Sequence, residues 1–217
     1  MHGVICSLAL GCHRIRKGTF MKMRYLATLP VLAVALLAPA LSLAQVPVFE
    51  FDKAKSSIGF NVKASIEIAG KFDKWDAKIT FTSTDVTTGV LDIEAQAASV
   101  DTGSGMKDGK LKGKDFFDAE NNPLISFKST KIVQTGPNTF DIPGTFTIRG
   151  VSKPETLSLT VSGIGTGEGE VKGIMAFDRK QYGMNSGIPF IKIADRVEVE
   201  VDLFGKRVSG PPMNLKK

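Results

Sequence analysis

The feature that most constrains this chain is a period of two in its apolar residues, sustained from Ser57 to Leu203. Between Ser57 and Ile68 every even position is apolar (Ile58, Phe60, Val62, Ala64, Ile66, Ile68) and every odd position is small or polar. Successive side chains of a strand point to opposite faces, so such a run builds a strand with one buried and one wetted face. A helix would scatter the same residues around its circumference. The pattern returns at Trp75, Ala77, Ile79 and Phe81, at Leu91 to Ala97, at Ile125 and Phe127, and at Phe140, Ile142, Phe146 and Ile148. Leu157 to Val161, Ile174 with Ala176, and Val197 to Leu203 complete the series. Breaks rich in Gly, Pro and Asn separate the runs at Gly70, Thr87-Thr88-Gly89, Gly136-Pro137-Asn138 and Gly163 to Gly169.

The expected fold is all-β, an antiparallel barrel of about eight strands with a short helical insertion. One solvated face per strand argues against a parallel sheet covered by helices. Closing the meander removes its edges, and the length of the 57–68 run favours a barrel over the competing two-sheet sandwich. A barrel of this size holds packed side chains or one small ligand. The Gly- and Lys-rich stretch Ser104 to Lys114 is the place for the helix, just before Phe116-Phe117. Lys180 to Lys192 is a longer irregular connection, and the tail 206–217, with Pro211-Pro212, is expected to be disordered.

Upstream, Met21-Lys22-Met23-Arg24, the apolar run Tyr25 to Leu37 and the small-residue motif Ser42-Leu43-Ala44 form the pattern of a cleavable secretory signal. Residues 1–44 are therefore expected to be an upstream extension plus signal peptide, with the mature protein starting near Gln45, exported to the periplasm or beyond, and a single domain over 45–205. The basic residues Arg14, Arg16, Lys17, Lys22 and Arg24 leave with that leader, which contains no acid. The formal charge of +6 thereby falls to about +1, and no concentrated basic face points to nucleic acid.

His2, His13, Cys6 and Cys12 are the chain's only histidines and cysteines, and all lie in the leader. The remaining chain has no imidazole or thiolate for a triad, for thiol chemistry or for a soft-metal site. Asp115, Asp118 and Glu120 lack the spacing of a Ca²⁺ loop. The Gly163-x-Gly165-x-Gly167-x-Gly169 run lacks the Gly-Lys-Ser/Thr of a phosphate loop and reads as a hairpin turn. A binding protein without cofactor or metal is favoured over an enzyme.

Several motifs resemble the YceI-like family. They are Ser99-Val100-Asp101-Thr102-Gly103, Lys107-Asp108-Gly109-Lys110-Leu111, Asp115-Phe116-Phe117-Asp118 and Pro123-x-Ile125-x-Phe127-x-Ser129. Phe146-Thr147-Ile148-Arg149-Gly150-Val151 and Asp178-Arg179-x-x-x-Gly183-Met184 follow in the same order, over roughly residues 47–204. The resemblance implies a lipocalin-like barrel with an elongated apolar cavity, in exported bacterial proteins that bind polyisoprenoid or other long-chain lipids, including quinone tails. Two departures stand out. Many relatives carry a histidine near the position of Ala64, and an Arg-Asp-x-His-Leu motif where this chain has Lys107-Asp108-Gly109-Lys110-Leu111. Two ammonium point charges thus replace a guanidinium fork and an imidazole.

The candidate ligand-binding residues are Phe60, Val62, Ala64, Phe72, Trp75, Phe116, Phe117, Phe127, Phe146, Phe177, Tyr182, Met184 and Phe190, with Lys107, Asp108 and Lys110 as headgroup contacts. Apolar residues in connections, such as Phe116-Phe117 and the 180–192 segment, mark a site more often than packing. The expected function is binding, sequestration or transport of a long isoprenoid-type lipid, a polyprenyl or quinone tail. Transient membrane contact and a homodimer are the further partnerships considered. Two alternatives share the fold: a stress-related interaction module with a filled core, and an enzyme acting on a hydrophobic substrate.

Overall fold

The computed structural model describes residues 45–65, 68–187 and 192–215. Twelve strands form one antiparallel sheet that curls into a barrel: β1 (Val48–Phe51), β2 (Ser57–Ala64), β3 (Ile68–Phe72), β4 (Trp75–Thr80), β5 (Val90–Gln96), β6 (Val100–Asp101), β7 (Leu124–Ser129), β8 (Val133–Gln134), β9 (Thr139–Ile148), β10 (Val151–Val161), β11 (Glu168–Asp178) and β12 (Ile193–Ser209). The single α-helix among the described residues, α1, spans Gly105–Lys112, inside the stretch where a helix was expected.

The excess over eight strands has a local cause. The 68–80 and 90–101 segments each bend, so each registers as two strands. β3 pairs with β6 (Phe72 opposite Val100) and β4 with β5 (Trp75 opposite Ala95). Between them Asp73 N–H donates to the Ser99 carbonyl, and Gln96 N–H to that of Lys74. β3 also pairs with β2, so the ends of the curled sheet meet at this bend. β1 and β8 are short additions on β12 and β9.

The long 57–68 strand is also corrected. β2 ends at Ala64, and β3 starts at Ile68 and runs back antiparallel, with Val62 opposite Ile68. The even-position apolar pattern is shared by β2 and β3 because both strands bury the same face. The Ile174/Ala176 assignment is reversed: Ile174 is 58% exposed, while Gly173, Met175 and Phe177 point inward. Register decides this, since Gly173 lies opposite Leu159 on one side and Val201 on the other, both buried.

The tail departs from expectation as well. β12 continues to Ser209, and Met213 and Leu215 pack against the core. Asn214 N–H donates to the Thr84 carbonyl at 2.7 Å, and its amide to the Thr84 hydroxyl at 2.9 Å. Pro211-Pro212 ends the sheet, and the two apolar residues beyond it find a hydrophobic surface at the base of the barrel. Gly210, with φ of 80°, makes the turn, where a Cβ would sit 2.1 Å from the Val46 carbonyl oxygen.

Inward-facing residues of every strand except the short β8 form one continuous core. Side chains alone do not fill the barrel: an apolar cavity lies towards each end.

Candidate ligand-binding site

The first cavity has a volume of about 140 Å³ and lies beneath α1. Its wall is built from alternate residues of neighbouring strands, among them Phe60, Val62, Phe72, Phe127, Phe146 and Phe177. One aromatic triplet stands in this wall, and a second has two members in it and the third, Tyr182, behind them. Phe60, Phe72 and Phe117 have ring centroids 5.8 to 6.0 Å apart, and Phe146, Phe177 and Tyr182 have theirs 5.0 to 5.6 Å apart. Tilted and edge-on contacts of this kind suit the ring quadrupoles and hold each triplet rigid.

The turn after α1 places Phe116 and Phe117. Phe117 N–H donates to the Leu111 carbonyl at 2.9 Å and Phe116 N–H to that of Gly113 at 3.1 Å, folding the chain back so that both rings enter the barrel. Both are buried. Leu111 is the buried residue of α1 and lines the same cavity, together with its neighbour Lys110 and with Lys107 one turn before it.

Three cations reach this cavity, and they differ. Lys110 Nζ bonds Asp115 Oδ2 at 2.6 Å and lies 5.8 Å from the centre of the Phe116 ring. That lysine holds the Asp115 carboxyl below the usual carboxylate range. Arg179 is buried, and its guanidinium is spent on backbone: it donates to the carbonyls of Ala194, Met184 and Ser186 and pairs with Asp195 at 3.2 Å. It fastens the two arms of the connection between β11 and β12. Lys107 has no ion-pair partner among the described residues, so its charge is available at the mouth.

The expected site residues divide as follows. Phe60, Val62, Phe72, Phe116, Phe117, Phe127, Phe146, Phe177 and Met184 line the cavity, as do Lys107 and Lys110. Ala64, Trp75, Tyr182 and Asp108 do not. Trp75 is half-buried beside the bend at Asp73, with Lys53 Nζ 5.6 Å from its ring centre. Tyr182 is fully buried behind Phe146 and Phe177, and its hydroxyl donates to Glu155 at 3.0 Å. Burial first, and then that carboxylate, pushes the phenol's pKa upward, so it stays a donor. Asp108 turns away from the mouth and accepts from the Thr102 hydroxyl at 2.6 Å and the Thr102 N–H at 2.9 Å, tying α1 to the end of β6. Phe190 lies outside the described residues. Sequence reasoning missed Arg179 as a wall residue, although it stands in the Asp178-Arg179 motif; nothing local says that a surface-type residue is buried.

An antiparallel β-barrel with an apolar cavity under a lysine-bearing helix defines the class: a barrel built around a hydrophobic site. Residues 49–204 match the model of the YceI-like domain, and the chain belongs to that family. A UPF0312 protein of Vibrio parahaemolyticus is 27% identical over 178 residues, covering 80% of this chain and 94% of the relative. One of Shewanella denitrificans is 30% identical over 147 residues, covering 67% and 76%. Among solved structures, Burkholderia cenocepacia BcnA aligns at a TM-score of 0.65 with 27% identity, over 71% of this chain and 99% of its own. A polyisoprenoid binding domain from Saccharophagus degradans, implicated in plant cell wall breakdown, aligns at 0.58 with 15% identity, over 74% and 99%. At that identity the second likeness bears on the fold alone.

Proposed function

We propose that this protein binds a long-chain isoprenoid-type lipid, a polyprenyl chain or the tail of a quinone, and sequesters or carries it without chemical change. The observation that carries this reading is the apolar cavity under α1, whose wall includes Lys107, a lysine with no ion-pair partner among the described residues, beside buried Phe116 and Phe117. A polyisoprenoid is what the Saccharophagus degradans domain of the same fold binds, and we take that ligand class for this cavity. The leader-like sequence at 21–44 supports a periplasmic location.

Hydrocarbon burial supplies the affinity. Each buried CH₂ contributes roughly 0.8 kcal/mol, while association costs at least about 4 kcal/mol in lost freedom. A five-carbon group roughly breaks even, and a much longer tail is needed for useful affinity. Lys107 supplies orientation, meeting an anionic or carbonyl headgroup at the rim. α1 also suits loading at a lipid surface: Met106 is 88% exposed next to Lys107, Lys110, Lys112 and Lys114.

Titrating the purified protein with a long-tailed quinone and with the same headgroup lacking the tail tests the reading. Saturable binding of the tailed compound alone is expected. Equal binding of both, or of neither, contradicts it.

A further inference from the structure

Almost no polar atom faces the cavity under α1, although Lys107, Lys110 and Arg179 belong to its wall. Long cationic side chains behave in this way when their methylene stems cover apolar surface and their charged heads stay in water. Arg179 is engaged elsewhere: its guanidinium donates to the carbonyls of Ala194, Met184 and Ser186 and pairs with Asp195. A quinone ring drawn inside would meet hydrocarbon on nearly every side, and unmatched carbonyls cost free energy. The headgroup is left to the lysines of α1.

Those lysines belong to a segment with a surplus of positive charge. From residue 107 to 115 the chain holds Lys107, Lys110, Lys112 and Lys114 against Asp108 and Asp115. Both acids are already engaged, Asp108 by Thr102 and Asp115 by Lys110 at 2.6 Å. Arg149 adds to the surplus. It donates to the Lys114 carbonyl at 2.8 Å, and its charge supplements that of Lys110 in holding the Asp115 carboxyl down. Of the two cavity lysines, Lys110 has its anion and Lys107 has none among the described residues.

Lys107 and Lys110 are three residues apart on α1, the spacing that makes two side chains neighbours on one face. Two neighbouring ammonium groups match an anion of more than one charge. A phosphate monoester carries about −1.5 to −2 at neutral pH and presents strong acceptor oxygens to the lysine donors. A carbonyl or hydroxyl headgroup offers no charge, and a carboxylate offers a single one. A bound phosphate gives Lys107 its first ion pair, while Lys110 shares its ammonium between Asp115 and the ligand.

Resting on the lipid-binding reading, we propose that the headgroup this protein prefers is a phosphate monoester, so that its ligand is a prenyl phosphate whose phosphate is held by Lys107 and Lys110. Lys107 is the specificity-determining residue: it separates a prenyl phosphate from the prenyl alcohol with the same tail.

The test measures the affinity of the full mature chain for farnesyl phosphate, farnesoic acid and farnesol, which carry different headgroups on the same tail, with inorganic phosphate as a competitor. The expected order is phosphate above acid above alcohol, with about tenfold between the phosphate and the alcohol. Lys107→Gln should remove most of that preference, and Lys107→Arg, which keeps the charge, should retain it. Farnesyl phosphate binding no tighter than the acid or the alcohol, or a preference that K107Q leaves intact, overturns the proposal and leaves lipid binding standing. Displacement of farnesyl phosphate by equimolar inorganic phosphate overturns it as well, because the site would then take free phosphate. Failure of the unsubstituted protein to bind any of the three overturns the lipid reading, and the headgroup assignment with it.

Discussion

Arg149 and Gly183, 34 residues apart, are joined where Nη1 of the arginine donates to the glycine carbonyl at 2.8 Å. Nη2 of the same guanidinium donates to the Lys114 carbonyl at 2.8 Å, so one side chain clasps the β9–β10 turn, the segment after α1 and the turn after β11. Arg149 does this from a left-handed backbone (φ 55°), followed by Gly150 (φ 72°), the tight two-residue turn that matches the twist of a hairpin.

Removing the clasp is expected to loosen the mouth. Hydrogen bonds from a charged donor contribute about 1.5–3 kcal/mol each, so Arg149→Ala should cost about 2 kcal/mol or more net of solvation. Arg149→Gly loses the same bonds and relieves the left-handed backbone, recovering about 1 kcal/mol. Urea denaturation checks the order: wild type above R149G above R149A.

Asp108 gives a pH dependence. The Thr102 hydroxyl, and next the Thr102 N–H, hold its carboxyl below the usual range. A depressed folded value means that the contribution is complete above the unfolded value, about 3.9, and disappears as pH falls through the folded one. Asp108→Asn should therefore melt below wild type at neutral pH, and the gap should narrow as pH drops below about 4. Melting curves across that range test it; a gap that stays constant would show that the carboxylate's charge is irrelevant.

Trp75 and Phe127 separate site from scaffold. Phe127 is 4% exposed and lines the cavity, so Phe127→Ala should cost about 3–5 kcal/mol and weaken ligand retention. Trp75 stands outside the cavity wall, so Trp75→Phe should leave retention unchanged. It is also the single tryptophan, and its emission should respond little to ligand. A large emission change on binding would place the ligand elsewhere.

Membrane loading through α1 predicts salt-sensitive association with anionic vesicles. Each lysine near such a surface contributes about 1 kcal/mol, so Lys107→Glu with Lys112→Glu should sharply reduce co-sedimentation. Wild type and variant sedimenting alike at low salt would remove α1 as the contact.

The period-two pattern made most of the barrel legible, because the pleat is a local property of the strand. What it could not give depends on distant partners. Ile174 satisfies the alternation in sequence, yet the pairing of Gly173 with Leu159 and Val201 decides which parity faces inward. Trp75 lies on an apolar parity, but the bend at Asp73–Lys74 leaves it at the margin of the core. The order of the C-terminal segment depends on Thr84, 130 residues from Asn214. Phe116 and Phe117 were legible as wall residues because two adjacent aromatics in a connection have little use unless they turn inward. Asp108 was legible as important but not in its role, since a carboxylate serving a helix and one serving a headgroup look alike in sequence.

The central claim is that the barrel holds a long-chain lipid. Native mass spectrometry of the mature protein, purified from a bacterial periplasm without detergent and followed by solvent extraction, tests it most directly. The account predicts a discrete adduct that extracts as a defined prenyl-type or quinone-type lipid. A bare polypeptide mass, unchanged after incubation with long-tailed quinones and polyprenols, would contradict it.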